Sequence, residues 1–142
     1  MIKFIIICFF LILNSCSSFK KDVANCPKVI TPKKAAEVLV RSENNSVVYI
    51  GFRGVKTYCI KDNDNIEMEI SVNVRAIRKE TKSEDFVPVN ISVVSTDMNN
   101  KEYDRDGLKY SQFLLKGNKI VDRVTTLDIK IPKGGQVFLG IR

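Results

Sequence analysis

The segment Ile66 to Ala76 (IEMEISVNVRA) alternates apolar and polar residues without a break. Ile66, Met68, Ile70, Val72, Val74 and Ala76 point one way, and Glu67, Glu69, Ser71, Asn73 and Arg75 the other. Successive side chains of a strand face opposite sides of a sheet, whereas a helix would scatter these apolar residues around its circumference. The segment reads as a half-buried antiparallel strand.

Most of the chain repeats that period. Ser46–Phe52 (SVVYIGF) and Val55–Ile60 (VKTYCI) read as two strands, with a tight connection or bulge around Arg53-Gly54. Lys61–Asn65 (KDNDN) is composed of turn residues. Val87, Val89, Ile91 and Val93 face inward from a further strand. Pro88 lacks an amide donor and belongs at that strand's start or on an edge. Asp97–Gly107 (DMNNKEYDRDG) reads as a polar excursion, followed by a strand at Tyr110–Lys116 and a turn at Gly117-Asn118. Ile120–Ile131 is a long strand whose apolar phase shifts between Val124 and Leu127, which predicts a bulge near Thr125-Thr126. Pro132–Gly135 turns into a last strand, Gln136–Ile141. Thr31–Glu37 allows one helical turn at most before Val38-Leu39-Val40 favours strand.

About seven or eight short antiparallel strands separated by turns predict an all-β fold, an immunoglobulin-like β-sandwich, with a small β-barrel as the alternative. The immunoglobulin likeness is architectural only, because the chain has no Trp to supply the hallmark buried ring.

The N-terminus has a different character. Met1-Ile2-Lys3 precedes an unbroken apolar run, Phe4–Leu13 (FIIICFFLIL). The run falls short of the ~20 residues a membrane-crossing helix needs and fits the apolar region of a secretory signal. Leu13-Asn14-Ser15-Cys16 resembles a bacterial lipobox, with Leu three residues before the Cys and a small residue just before it. Asn14 departs mildly from the usual small residue at its place. The resemblance implies that residues 1–15 are a signal peptide cleaved before Cys16 and that Cys16 is acylated. The alternatives are a plain secretory signal cleaved nearby, or an uncleaved anchor. Ser17 follows the Cys where proteobacterial lipoproteins kept at the inner membrane carry Asp, so the resemblance implies an outer-membrane lipoprotein facing the periplasm. Residues 16–25 read as the lipidated Cys and a polar tether, and residues 26–142 as the domain.

The chain has four Cys. On the lipobox resemblance, Cys8 would leave with the signal and Cys16 would take the lipid. Cys26 and Cys59 remain as a pair in an oxidising compartment, where a disulfide is the expected state. Two free buried thiols are the alternative, and two Cys without His make a poor zinc site. A lipobox, a short tether, Cys26-Pro27-Lys28-Val29, one downstream Cys59 and a final VFLGIR strand resemble small outer-membrane lipoproteins of alphaproteobacteria. That group carries no assigned activity, so the resemblance implies no functional residues beyond the three cysteines.

Composition bounds the chemistry. A chain of 142 residues makes one domain. With no His it has no Ser-His-Asp triad, no His-assisted Cys nucleophile and no His metal ligand. Catalytic, cofactor and metal residues are therefore not expected, and the protein is read as a non-enzyme.

Other groups have ordinary readings. Asp104-Arg105-Asp106-Gly107 resembles a calcium loop only superficially and reads as a solvated turn. Glu67 and Glu69 share a strand face and read as solubilising residues with cross-strand Lys partners. Lys20-Lys21, Lys33-Lys34 and the group Arg75, Arg78, Lys79, Lys82 lack interleaved stacking aromatics, so nucleic-acid binding is not expected. The first two groups suit anionic headgroups or a plain solvated surface. Tyr49, Phe52, Tyr58, Tyr103, Tyr110, Phe113 and Phe138 read as core or cross-strand aromatics, and Tyr103 and Tyr110, flanking the polar loop, as a contact patch.

The expected function is a non-enzymatic, lipid-anchored envelope module whose β-sandwich binds another envelope protein through a strand edge or the Asp97–Gly107 loop, or serves structurally. Loss of residues 1–15 removes one Lys from the net charge of +7, and the remaining +6 gives the alternative, a lipid- or polysaccharide-binding protein. A hydrolase working without His is the remote third reading.

Overall fold

The computed structural model describes residues 21–142. Cys16, the signal peptide and most of the tether lie outside the described residues. The strands are β1 (Val29–Ile30), β2 (Glu37–Arg41), β3 (Val47–Asp62), β4 (Asn65–Arg78), β5 (Asp85–Thr96), β6 (Glu102–Leu114), β7 (Ile120–Ile131) and β8 (Gln136–Ile141). A 3-10 turn, Lys33–Ala35, precedes β2. The strands form two four-stranded sheets, ordered β2-β3-β4-β7 and β1-β8-β5-β6. All pairings between them are antiparallel except β1 with β8.

The fold is the expected all-β sandwich. Its connectivity is a meander of β2, β3 and β4, then an alternation in which β5 and β6 join one sheet, β7 the other and β8 the first again. Antibody domains group their strands differently, so the likeness is one of layers and size.

The core lies between the sheets and is aliphatic. Ile50, Met68, Ile70, Val72 and Leu127 from one sheet meet Val87, Ile91, Val93, Val137 and Leu139 from the other, all fully buried. The alternation in β4 runs as expected, with Met68, Ile70, Val72, Val74 and Ala76 inward. Among the described residues no aromatic is fully buried in this core, although Phe52 and Tyr110 pack against it half-buried. Phe86 and Phe113 form a cross-strand pair with ring centroids 4.8 Å apart, whereas Tyr58 and Tyr103 are exposed.

Four expectations about elements need correction. Ser46–Phe52 and Val55–Ile60 are one strand, β3, continuous past a bulge between Phe52 and Gly54. The long partner β4 pairs with both halves, so Gly54 serves the bulge and not a chain reversal. No bulge interrupts β7, whose register with β4 is unbroken from Ile120 to Ile131. There Thr125 faces inward and is buried while Val124 faces out, which mimics a phase shift in the sequence. The polar stretch Asp97–Gly107 is a loop only as far as Lys101, because β6 begins at Glu102 and pairs along β5. Asp97 tightens that short turn, its Oδ1 accepting from the amides of Asn99 and Lys101.

The fourth concerns Arg78. It continues the inward phase of β4 and is only 2% exposed. Its guanidinium donates to the carbonyls of Ser83, Leu114, Leu115 and Asn118. It closes one end of the sandwich instead of joining Lys79 and Lys82 in a basic surface group. Arg75 is also engaged, donating to both carboxylate oxygens of Asp122 on β7 at 2.6 Å.

Pro88 sits where the local pairing tolerates it. β8 covers β5 only from Ile91 to Thr96, so the Pro88 half of β5 is an edge on that side.

Candidate interaction surface

The sheet β2-β3-β4-β7 leaves part of one side open, and that opening defines the candidate site. Residues Asp22–Ala24 dock antiparallel against the far end of β3. The Ala24 amide donates to the Cys59 carbonyl at 3.0 Å, and the Lys61 amide donates to the Asp22 carbonyl at 2.8 Å. The stretch expected to be free tether is thus partly built into the sheet. The chain then leaves that sheet at Cys26-Pro27. Cys26 stands at disulfide distance from Cys59, with Cα atoms 5.3 Å apart, within the usual range for a bridge. Cys59 is 1% exposed and faces the core, so the pairing draws the chain inward. Pro27 has no amide to continue a ladder. Beyond it, Val29–Ile30 pairs with β8 in the opposite sheet.

The chain returns only after the 3-10 turn. The Phe52 amide donates to the Ala36 carbonyl, and β2 pairs with β3 from Val47 to Gly51. Between these two dockings, Arg53–Tyr58 of β3 has no strand beside it on the side away from β4 among the described residues. Each of these six positions is exposed. Antiparallel strands bond alternately to their two neighbours. Cys59 and Lys61 use their backbone groups toward Ala24 and Asp22, so Val55 and Thr57, in the same phase, aim their N–H and C=O groups into the gap. The bulge at Phe52/Gly54 produces this phase, since ahead of it the even-numbered Phe52 bonds toward the β2 side. The open stretch is roughly 17 Å long at ~3.3 Å per residue.

Lys56 stands on the sheet's outer face, opposite Ser71 of β4, and Tyr58 stands opposite Glu69. Among the described residues neither Arg53 nor Lys56 makes an ion pair. Sequence reasoning named Ser46–Phe52, Val55–Ile60 and the bulge, but the gap itself depends on where residues 22–36 travel.

The groove beside Tyr58 is lined by Lys21, Ile60, Glu67, Glu69, Asp128 and Lys130 and encloses about 430 Å³. Glu67 is held 3.6 Å from both Lys21 and Lys130. The Lys130 contact is the cross-strand lysine pairing expected for this face, whereas Lys21 lies outside the strands and Glu69 makes no ion pair among the described residues. Glu69 and Asp128 lie opposite one another on β4 and β7.

Tyr103 and Tyr110 are not brought together. Inward and outward positions alternate along β6, and the odd separation puts the two rings on opposite faces. Tyr103 is 48% exposed. Tyr110 packs against the core with the Arg123 guanidinium 4.2 Å from its ring centre, and burial raises its hydroxyl pKa. Asp104 and Asp106, read as a solvated turn, instead point from β6 to the amides of Lys130 and Asp128. No group of three or more metal-ligating side chains occurs among the described residues. No described helix is long and apolar enough to cross a membrane. Comparison with protein-family models, with curated proteins and with solved structures finds no match.

Proposed function

We propose that this protein is a non-enzymatic envelope lipoprotein, anchored through Cys16 to the outer membrane and facing the periplasm, whose sandwich binds an envelope protein partner at the open edge of β3. The observation that carries the binding half is the Arg53–Tyr58 gap, where Val55 and Thr57 offer backbone hydrogen-bonding groups between two docked segments. An exposed strand edge is a template for strand addition, with backbone bonds giving affinity and flanking side chains giving specificity. The anchoring half rests on the lipobox-like Leu13-Asn14-Ser15-Cys16. With Asp22 already docked on the sheet, the edge would work a short tether away from the bilayer.

Two experiments in intact cells test the two halves. Labelling with a palmitate analogue should be incorporated by the natural chain and lost in Cys16→Ala; equal labelling of both removes the anchor. Cross-linking of the full chain followed by mass spectrometry should recover a reproducible envelope partner with cross-links near Lys56, and its absence removes the docking role.

A second reading has its own observation. Arg105, Lys109 and Arg142 surround a shallow depression with Asn90, Ser92 and Gly107 on the outer face of the other sheet. This favours an anionic lipid or polysaccharide surface, with binding that weakens as salt rises. Arg105 is already occupied by Glu102, donating to both of its oxygens at 2.9 and 2.6 Å, so the edge is the stronger site.

A further inference from the structure

We infer that the gap in β3 takes an extended peptide strand running antiparallel to β3, with an acidic residue opposite Lys56 and apolar neighbours beside Val55 and Thr57. The inference rests on the docking role proposed above and specifies the partner's chemistry. Three observations define it.

The first is direction. Both segments that flank the gap, Asp22–Ala24 and β2, run antiparallel to β3. A strand in the gap that lies in line with them continues the same edge, and Val55 and Thr57 present the donors and acceptors that an antiparallel ladder uses.

The second is the pleat. Lys56 points to the outer face, opposite Ser71, while Val55 and Thr57 oppose Val72 and Ile70, which are core residues. Yet Val55 remains 39% exposed. The guest's residue beside Lys56 therefore meets water and a cation, and its two neighbours meet the uncovered flank of the core. An acid between apolar residues satisfies both faces.

The third is charge. Arg53 and Lys56 make no ion pair among the described residues: on β4, Glu69 stands opposite Tyr58 and not Lys56, and Asp122, whose carboxylate feels the charge of Arg53, is already held by Arg75. The same charge disfavours a second copy of this chain. Two copies pairing about a dyad through this stretch would place Val55 against Thr57 and Lys56 directly against Lys56. Like charges so opposed destabilise a pair of strands. Lysine and a bulge on an edge are devices that discourage indiscriminate pairing, and here they select the sign of the guest.

The test uses the full chain in detergent micelles and two capped probe peptides, Thr-Val-Glu-Val-Thr-Ser and its Lys-for-Glu counterpart. Amide hydrogen exchange reads the edge. The acidic probe should slow exchange at Val55 and Thr57, and should bind roughly two- to fivefold better than the basic probe, the scale of one cross-strand charge pair. Lys56→Glu should invert that preference. Its side chain is exposed, so the fold tolerates the change. Val55→Pro removes an outward amide and should weaken both probes. If Val55→Pro does not fold, the Lys56→Glu inversion decides alone.

If both probes protect the edge equally and Lys56→Glu changes nothing, the acidic specificity falls while the docking edge stands. If neither probe protects Val55 or Thr57, and a photoreactive residue at position 55 captures nothing in intact cells, both fall together. Self-association of the natural chain with protection at the same amides would identify a second copy as the guest and overturn the inference.

Discussion

The Oδ2 of Asp104 on β6 accepts a 2.8 Å hydrogen bond from the backbone amide of Lys130 on β7, a strand of the opposite sheet. Asp106 does the same for Asp128 at 2.9 Å, and the Ser95 hydroxyl donates to the Lys130 carbonyl at 2.5 Å. Side chains thus occupy an edge of β7 that strands would otherwise seek. β3 has no such cover from Arg53 to Tyr58. The sandwich is stitched along one side and open along the other.

Removing that stitch should expose β7. In Asp104→Ala with Asp106→Ala, the amides of Asp128 and Lys130 should exchange measurably faster, while those of Val72 and Ile70 stay slow. Each bond contributes about 1 kcal/mol, so the denaturation midpoint should fall modestly. Unchanged exchange at Lys130 would show that its protection comes from elsewhere.

The Cys26–Cys59 pairing does two things at once. It closes a sequence separation of 33 residues, and it fixes the place where the N-terminal segment leaves the sheet. Oxidation of the pair should appear as a loss of two mass units and one internally linked peptide. Cys26→Ala with Cys59→Ala should cost about 3–4 kcal/mol by chain entropy. The same double variant should speed exchange at Lys61, whose amide donates to Asp22. A variant as stable as the natural chain would mean that the pair is not bridged.

Arg78 should be the most sensitive charged residue in the described chain. It is buried, and four backbone carbonyls accept from it. Arg78→Met keeps most of the side-chain volume but leaves these carbonyls without their donor. Breaking a buried charged network of this kind typically costs about 3–5 kcal/mol. Chemical denaturation measures it, and a loss under ~1 kcal/mol would place Arg78 among ordinary surface residues.

The fate of Arg78 shows where sequence reading succeeds and fails. Alternation made β4 legible because every apolar residue from Ile66 to Ala76 lies on one face, and the same parity carried on to position 78. The charge of the guanidinium hid that continuity, since its acceptors come from the connection that follows β4 and from the distant segment around Leu114–Asn118, which only the folded chain brings together. Val124 and Thr125 misled in the opposite way. An outward Val beside an inward Thr looks like a slip of register, and only pairing with β4 keeps the strand straight. The cysteine pair was legible by counting. The open edge was not, because it is defined by a departure at Cys26-Pro27 and a return at Ala36, neither of which has a periodic signature.

Asp85 gives the fold a pH dependence whose sign is set by its surroundings. It is 4% exposed. Desolvation pushes its carboxyl pKa up, but the Ser42 hydroxyl, the amides of Asn44 and Phe86 and the charge of Arg78 outweigh that and hold it below the ordinary carboxylate value. A carboxylate with a folded pKa below its unfolded value of ~3.9 contributes stability that is fully present above that value. The contribution is lost as pH falls through the lower folded pKa. Asp122, lowered by its hydrogen bonds from Arg75, acts in the same direction. Stability should therefore be flat near neutrality and decline below about pH 4. Asp85→Asn keeps the shape but weakens the acceptor, so it should lower stability at pH 7 and flatten the acid decline. Parallel curves for the two proteins between pH 7 and pH 2 would show that Asp85 stays equally protonated in the folded and unfolded chains.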